Sequence, residues 1–282
     1  MTEPDPRPST DRPDALPPEE PDRRRSSAER SGVDSTSIRR RAGAIAVAVR
    51  WLLLAGASGV LAGLASAAFL EALDRATELR LDHRWLVWLL PAAGLVVGLV
   101  HHHLGGRAVR GNELLLEEIH EPTAWVPRRM APLVFGGTVL SHLVGASVGR
   151  EGAALQMSGS LTDLLARGLR LEREDRRLLL VAALAGGFGS VFGVPWAGAV
   201  FALEVQSVPR MRRRAAIPAL VASFVGDRIV HLVGVHHAVR PQLHVALTFG
   251  LLWRVAVAGV AFGAVAAAFT ASVRGIKAAV GA

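Results

Sequence analysis

The chain has 282 residues, 51% of them hydrophobic, and a net charge of +8; between its charged clusters it is too apolar for a soluble helical domain. Cysteine is absent, which excludes disulfides and thiolate metal sites. The arginines sit in short clusters beside apolar segments (Arg39 to Arg41, Arg107 and Arg110, Arg128 and Arg129, Arg210 and Arg212 to Arg214), a pattern of cytoplasmic flanks and lipid headgroup contacts rather than of nucleic-acid binding.

Residues 1–41 hold seven of the fifteen prolines, nine acidic side chains and nine arginines, with hardly an aliphatic residue. Such a stretch cannot bury enough apolar surface to order itself, so we expect a disordered cytoplasmic tail. It lacks the run of basic, apolar and cleavage segments that marks a signal peptide. From Ala42 to about Ala76 runs a long helical segment, and the arginines before it put its start in the cytoplasm. Its length exceeds the roughly 20 residues needed to span and permits tilt. Gly59 and Gly63 on it form a small-xxx-small packing face.

The next segment, Trp85 to Leu104, ends in His101, His102 and His103. Adjacent residues on a helix point in different directions, so we read these as an interfacial cluster rather than a metal site. Gly105 and Gly106 break this helix. Gly111 and Asn112 then open a short one, Glu113 to His120, which is too short and too acidic to span alone. With Asn112 as its N-cap, it suits a half-helix whose N-terminus points into the protein.

Pro127 to Val148 is again apolar, carries Ser141 and His142, and runs directly into Gly149, Arg150, Glu151 and Gly152. Helix continues to about Leu169, and Leu171 to Arg177 reads as a charged turn in water. The apolar run from Leu178 is broken at Gly193, Val194 and Pro195 and resumes over Trp196 to Val205. Its glycines follow no β-strand, which argues for helix packing rather than a dinucleotide site. Ala215 to Val235 holds Pro218, Gly226 and the neighbours Asp227 and Arg228, read as a structural pair near the membrane face. His236, His237, Arg240 and Pro241 end that unit, and Leu247 to Ala279 forms a last long helix.

Apolar segments thus recur with breaks at Gly or Pro. In lipid, every backbone group must be satisfied, so a broken helix persists only where the break is enclosed by protein or lines a cavity. At each restart, free N–H groups and the positive end of the helix dipole converge, which makes an anion site. Three restarts qualify, near Gly111 and Asn112, at Gly149 to Gly152, and near Gly193 to Pro195. An arginine and a glutamate at membrane depth are candidates for an ion pathway. Glu151 can act as a tethered anion that occupies the second restart and, once protonated, leaves it, while Gly149 and Gly152 allow close backbone approach. The competing reading is structural, with Arg150 in a salt bridge elsewhere and Glu151 a helix-start residue.

Gly149-Arg150-Glu151-Gly152, together with Gly193-Val194-Pro195-Trp196 and the following residues to Val205, resembles the CLC chloride channel and proton-coupled antiporter family over roughly Ala42 to the C-terminus. The resemblance implies an all-α polytopic membrane fold of two inverted repeats with broken helices, an anion pathway at facing helix starts, and homodimers with one pore per subunit. It implies that Glu151 is the gating glutamate and that Gly111, Asn112, Gly149, Arg150, Gly152 and Ala153 belong to the anion-binding region. Gly193, Pro195 and Glu204 would be structural residues near the pathway.

The departures from the chloride-type pattern are informative. The first family motif, Gly-Ser-Gly-Ile-Pro, is matched by Gly111-Asn112-Glu113-Leu114-Leu115, so an asparagine replaces the serine that would hold chloride. The usual Pro after the second Gly of Gly-Arg-Glu-Gly is Ala153, and Gln156 and Met157 follow. With Glu117 to His120 and Ser223 to Asp227, these features are similar to the bacterial fluoride-exporting branch. The second glutamate of chloride/proton exchangers falls at Val205, which leaves Glu151 alone to couple protons.

The chain holds no tyrosine, and no Gly-x-Phe-x-Pro follows Val245. We therefore expect the tail 1–41, then a transmembrane region 42–282 that comprises the first inverted repeat to about residue 240 and the first helix of the second. The expected function is transmembrane transport of fluoride or chloride, with fluoride/proton antiport in the intact protein. The alternatives are a chloride channel or a non-transporting half-size membrane subunit. The expected partners are a halide anion, protons, the lipid bilayer and a second copy of the chain. The expected location is the inner membrane, with the N-terminus cytoplasmic. We expect no enzyme activity, cofactor, metal or nucleic acid.

Overall fold

The structure, a computed structural model, describes residues 23–205, 209–235, 246 and 248–280. Among the described residues every regular element is a helix, and the chain divides into a bundle that ends near residue 237 and a separate C-terminal unit. The expected repeat boundary near residue 240, and the break at His236, His237, Arg240 and Pro241, lie outside the described residues.

The first helix, α1 (Arg23–Asp82), begins inside the stretch expected to be disordered. The prolines of that stretch end at Pro21, and elongating a helix backwards from a formed span is far easier than nucleating one, so 23–41 is helical. A 3₁₀ segment (Arg84–Leu89) leads into α2 (Leu90–Val100), a π turn (His101–Gly105), and a second 3₁₀ segment (Gly106–Arg110). Then follow α3 (Asn112–His120), α4 (Met130–Leu143), α5 (Arg150–Gly168), α6 (Arg173–Phe192), α7 (Pro195–Glu204) and α8 (Pro209–Leu232). The C-terminal unit is one helix, α9 (Phe249–Val280).

Among the described residues, four stretches are long and apolar enough to cross a membrane, namely Ile45–Asp82, Arg84–His120, Met211–Leu232 and Phe249–Ile276. One expected apolar segment is cut short: Pro127 to Val148 yields only α4, because Gly145 takes φ +88° and the chain runs non-helical over 146–149. The apolar run from Leu178 breaks at Gly193 as expected, where a φ of +62° closes α6.

The bundle is organised around α6, whose residues Leu178 to Gly187 are buried without interruption. A helix buried on all sides carries no polar face, and this one does not. On one side it meets Leu114, Leu115 and Ile119 of α3, Ala199 and Ala202 of α7 and Ala215 and Ala219 of α8. On another, Val191 joins Phe69, Leu70 and Leu73 of α1 and Ala153, Ala154 and Met157 of α5. Apolar burial between helices brings little in lipid, so close approach through small residues does the holding. A methyl group on Gly59 would stand 2.6 Å from the Ala222 carbonyl oxygen, and one on Gly63 2.6 Å from that of Gly226, so the expected packing face is where α1 crosses α8. The Ser58 and Thr162 hydroxyls, hydrogen-bonded at 2.9 Å, tie α1 to α5 inside the bundle.

Candidate functional site

Two of the three restarts converge. At the first, Gly111 adopts φ +57° and ψ −129°, a backbone region essentially reserved for glycine. That turn makes Gly111 the N-cap and Asn112 the first helical residue, with no side-chain capping bond. The expectation that Asn112 caps α3 is therefore corrected, and its amide is free to point elsewhere. It points at α5. Its Nδ2 lies 3.2 Å from the position a Cβ on Gly152 would take, and its Oδ1 is buried without a hydrogen-bond partner.

At the second restart, Gly149 is extended (φ −70°, ψ 144°) and α5 begins at Arg150. The Glu151 carboxylate folds back over this helix start, with Oε2 2.6 Å from where a Cβ on Gly149 would be. Both glycines thus leave open the space their side chains would fill, Gly149 for a carboxylate and Gly152 for an amide. The first N–H groups of α5 lack intrahelical acceptors, and the helix dipole favours negative charge there. Ala153 is buried beneath this turn. Among the described residues Arg150 has no carboxylate partner, so the salt bridge that would have made it structural is not found.

The third restart lies elsewhere. Gly193 ends α6, the Val194 N–H reaches the Gly189 carbonyl at 3.1 Å, and Pro195 opens α7. Pro195 faces Gly189, and its carbonyl accepts a hydrogen bond from the Ser223 hydroxyl at 2.8 Å. None of the described contacts joins Gly193, Pro195 or the exposed Glu204 to Asn112 or Glu151. The His231 ring nitrogen hydrogen-bonds the Asp227 backbone carbonyl one turn back, at 2.8 Å, and among the described residues no ion pair joins Asp227 to Arg228.

Sequence reasoning missed a buried ion network below the site. Leu171 to Arg177 was expected to be a charged turn in water, yet Arg176 is only 5% exposed. Its guanidinium donates to both Asp163 oxygens, to Glu118 Oε2 at 3.1 Å and to the Ala124 carbonyl at 2.9 Å, and it lies 4.8 Å from the Trp125 ring. Glu118, fully buried, also accepts from Arg107 at 2.8 Å and from the Thr123 and Ala124 backbone. Asp163 further accepts the Val126 N–H at 2.7 Å. Burial disfavours the Arg176 charge, but its bonds to Asp163 and Glu118 outweigh this and hold its pKa above the ordinary value. This network joins α3, α5, α6 and the 121–127 connection, so it fixes the two helices whose starts form the site. The sequence signal was Glu118, an acidic residue that follows Glu117 and precedes Ile119 on α3.

The three histidines do not form a ligand set. The His101 ring bonds the Val97 carbonyl, and His102 and His103 stack edge to face. Among the described residues no group of three His, Cys, Asp or Glu could hold a metal.

Broken helices packed among membrane-length apolar segments define a polytopic membrane protein. The chain belongs to the voltage gated chloride channel family, whose model matches residues 102–281. It is 53% identical over 188 residues to the chloride/fluoride channel protein of Pseudomonas syringae pv. tomato, covering 67% of this chain and 42% of that one. It is 29% identical over 245 residues to the H(+)/Cl(-) exchange transporter ClcA of Cronobacter sakazakii, covering 80% of this chain and 52% of the relative. Its fold matches the crystal structure of a CLC-type fluoride/proton antiporter with a TM-score of 0.71 at 30% identity, over 77% of this chain and 55% of that one. The chain spans about half the length of the relatives it matches.

Proposed function

We propose that this chain forms part of an anion transporter that moves fluoride, ahead of chloride, across the membrane in exchange for protons. The observation that carries this is the meeting of the Asn112 amide with the start of α5, where the Glu151 carboxylate is folded back over Gly149. A free anion held by the same N–H groups competes with that carboxylate. Protonation neutralises Glu151 and releases it, so one proton and one anion exchange the same place. Gly111, Asn112, Gly149, Arg150, Gly152 and Ala153 line or support the anion position. Gly193, Pro195 and Glu204 act as structural residues.

The preference for fluoride is supported by Asn112 and by the Pseudomonas relative, a chloride/fluoride channel protein. The protein works as a homodimer in the inner membrane with its N-terminus in the cytoplasm, a reading supported by the Arg39 to Arg41 cluster ahead of the first span. The tail 1–41 and the transmembrane region 42–282 form its two parts, and it performs no enzymatic reaction.

The test is efflux of fluoride and chloride, with simultaneous proton uptake, in proteoliposomes containing the full-length protein. Glu151→Ala should leave anion movement intact and remove proton coupling. Coupling that survives this substitution would end the gate assignment.

A further inference from the structure

We propose that Gln156 is a second specificity-determining residue of this anion site, presenting its side-chain amide beside that of Asn112 so that both face one small anion. The inference rests on the anion-site reading above. Gln156 lies one turn after Gly152 on α5, so the two share a helix face. Its Nε2 is 3.6 Å from the position a Cβ on Gly152 would take, where the Asn112 nitrogen stands at 3.2 Å. On its other side the same nitrogen is 3.1 Å from the corresponding point on Gly111. The Gln156 amide therefore lies between Gly111, the N-cap of α3, and Gly152 in the first turn of α5.

The amide is also uncommitted. Among the described residues it makes no hydrogen bond, and the Asn112 Oδ1 opposite is a buried acceptor without a partner. The two Gln156 N–H groups are thereby open to an acceptor beside the α5 start. Each carboxamide offers two N–H donors, where a serine hydroxyl offers one. A dehydrated fluoride needs that compensation more than chloride does, because its charge is more concentrated and its attraction to a donor rises with closer approach. Two neutral amides add donors to the site without adding a further positive charge beside Arg150.

The discriminating experiment compares fluoride and chloride flux from proteoliposomes of the full-length protein carrying Gln156→Met, which keeps length and removes the donors. We expect the fluoride-to-chloride flux ratio to fall about tenfold, equivalent to ~1.4 kcal/mol. Gln156→Asn, which keeps an amide, should recover part of the ratio. Isothermal titration of the purified wild-type and variant proteins with sodium fluoride should show the same order of affinity. An unchanged ratio overturns the proposal, whether both fluxes persist or both fall together, since a merely structural role would move the two anions alike. Failure of the wild-type protein to move either anion sinks the anion-site reading itself, and this inference with it.

Discussion

Asn112 on α3 and Gly152 on α5 meet across a space that only a glycine leaves open, with the amide nitrogen 3.2 Å from the point a Cβ would occupy. Two helix starts far apart in the chain thereby share one polar pocket. Gly152→Ala places a methyl group tighter than ordinary contact and pushes the Asn112 amide off the start of α5. Since the methyl meets the end of a movable side chain, folding should change by less than about 1 kcal/mol, while anion flux falls roughly tenfold. Flux assays paired with thermal unfolding in detergent separate the two effects.

Gly111 offers a complementary test. Its φ of +57° with ψ −129° is strained for any L residue, so Gly111→Ala should destabilise the protein by about 1–3 kcal/mol. The strain relaxes by turning the start of α3, so flux should fall as well. A Gly111→Ala protein with wild-type unfolding temperature and flux would contradict the assigned backbone geometry.

For the buried ion network, Arg176→Ala leaves Asp163 and Glu118 facing each other without their shared cation. Removing one partner of a buried ion pair costs about 3–5 kcal/mol, more than the pair itself contributes, because the remaining charge stays desolvated. Thermal unfolding should show this loss. Removing the isolated surface pair of Glu71 with Arg75 should change stability by less than about 1 kcal/mol.

The α1 and α8 crossing predicts opposite outcomes for two nearby glycines. Gly59→Ala drives a methyl group to 2.6 Å from the Ala222 carbonyl, so it should cost about 1–3 kcal/mol through overpacking. Gly56→Ala meets nothing within 4 Å and should stabilise the helix by up to about 1 kcal/mol. Equal unfolding temperatures for the two variants would mean that α1 does not cross α8 at Gly59.

Much of this was readable before any coordinates, because it depends on short-range pattern. The membrane-length segments, the glycine face at Gly59 and Gly63 and the breaks before Asn112, Arg150 and Pro195 are all encoded within a turn or two. The cap of α3 was not, since whether Asn112 sits before the helix or inside it depends on the backbone angle of Gly111. Arg176 was misread for a different reason. A run of charges looks solvated until its partners are known, and those partners, Asp163 and Glu118, lie 13 and 58 residues away. Gln156 was noticed only as part of a family likeness, because its neighbour Gly111 belongs to another helix.

The 58 residues between Glu118 and Arg176 also set a schedule for biogenesis. Glu118 is synthesised first, with Arg107 as the only cation of its network already made. At about 5–20 residues per second its second counter-charge follows roughly 3–12 s later, and until then Arg107 alone balances Glu118. The ion network that joins α3 to α6 is therefore completed only once α6 has been made. α3 is thus fixed late, by an arginine that belongs to neither of the two helix starts.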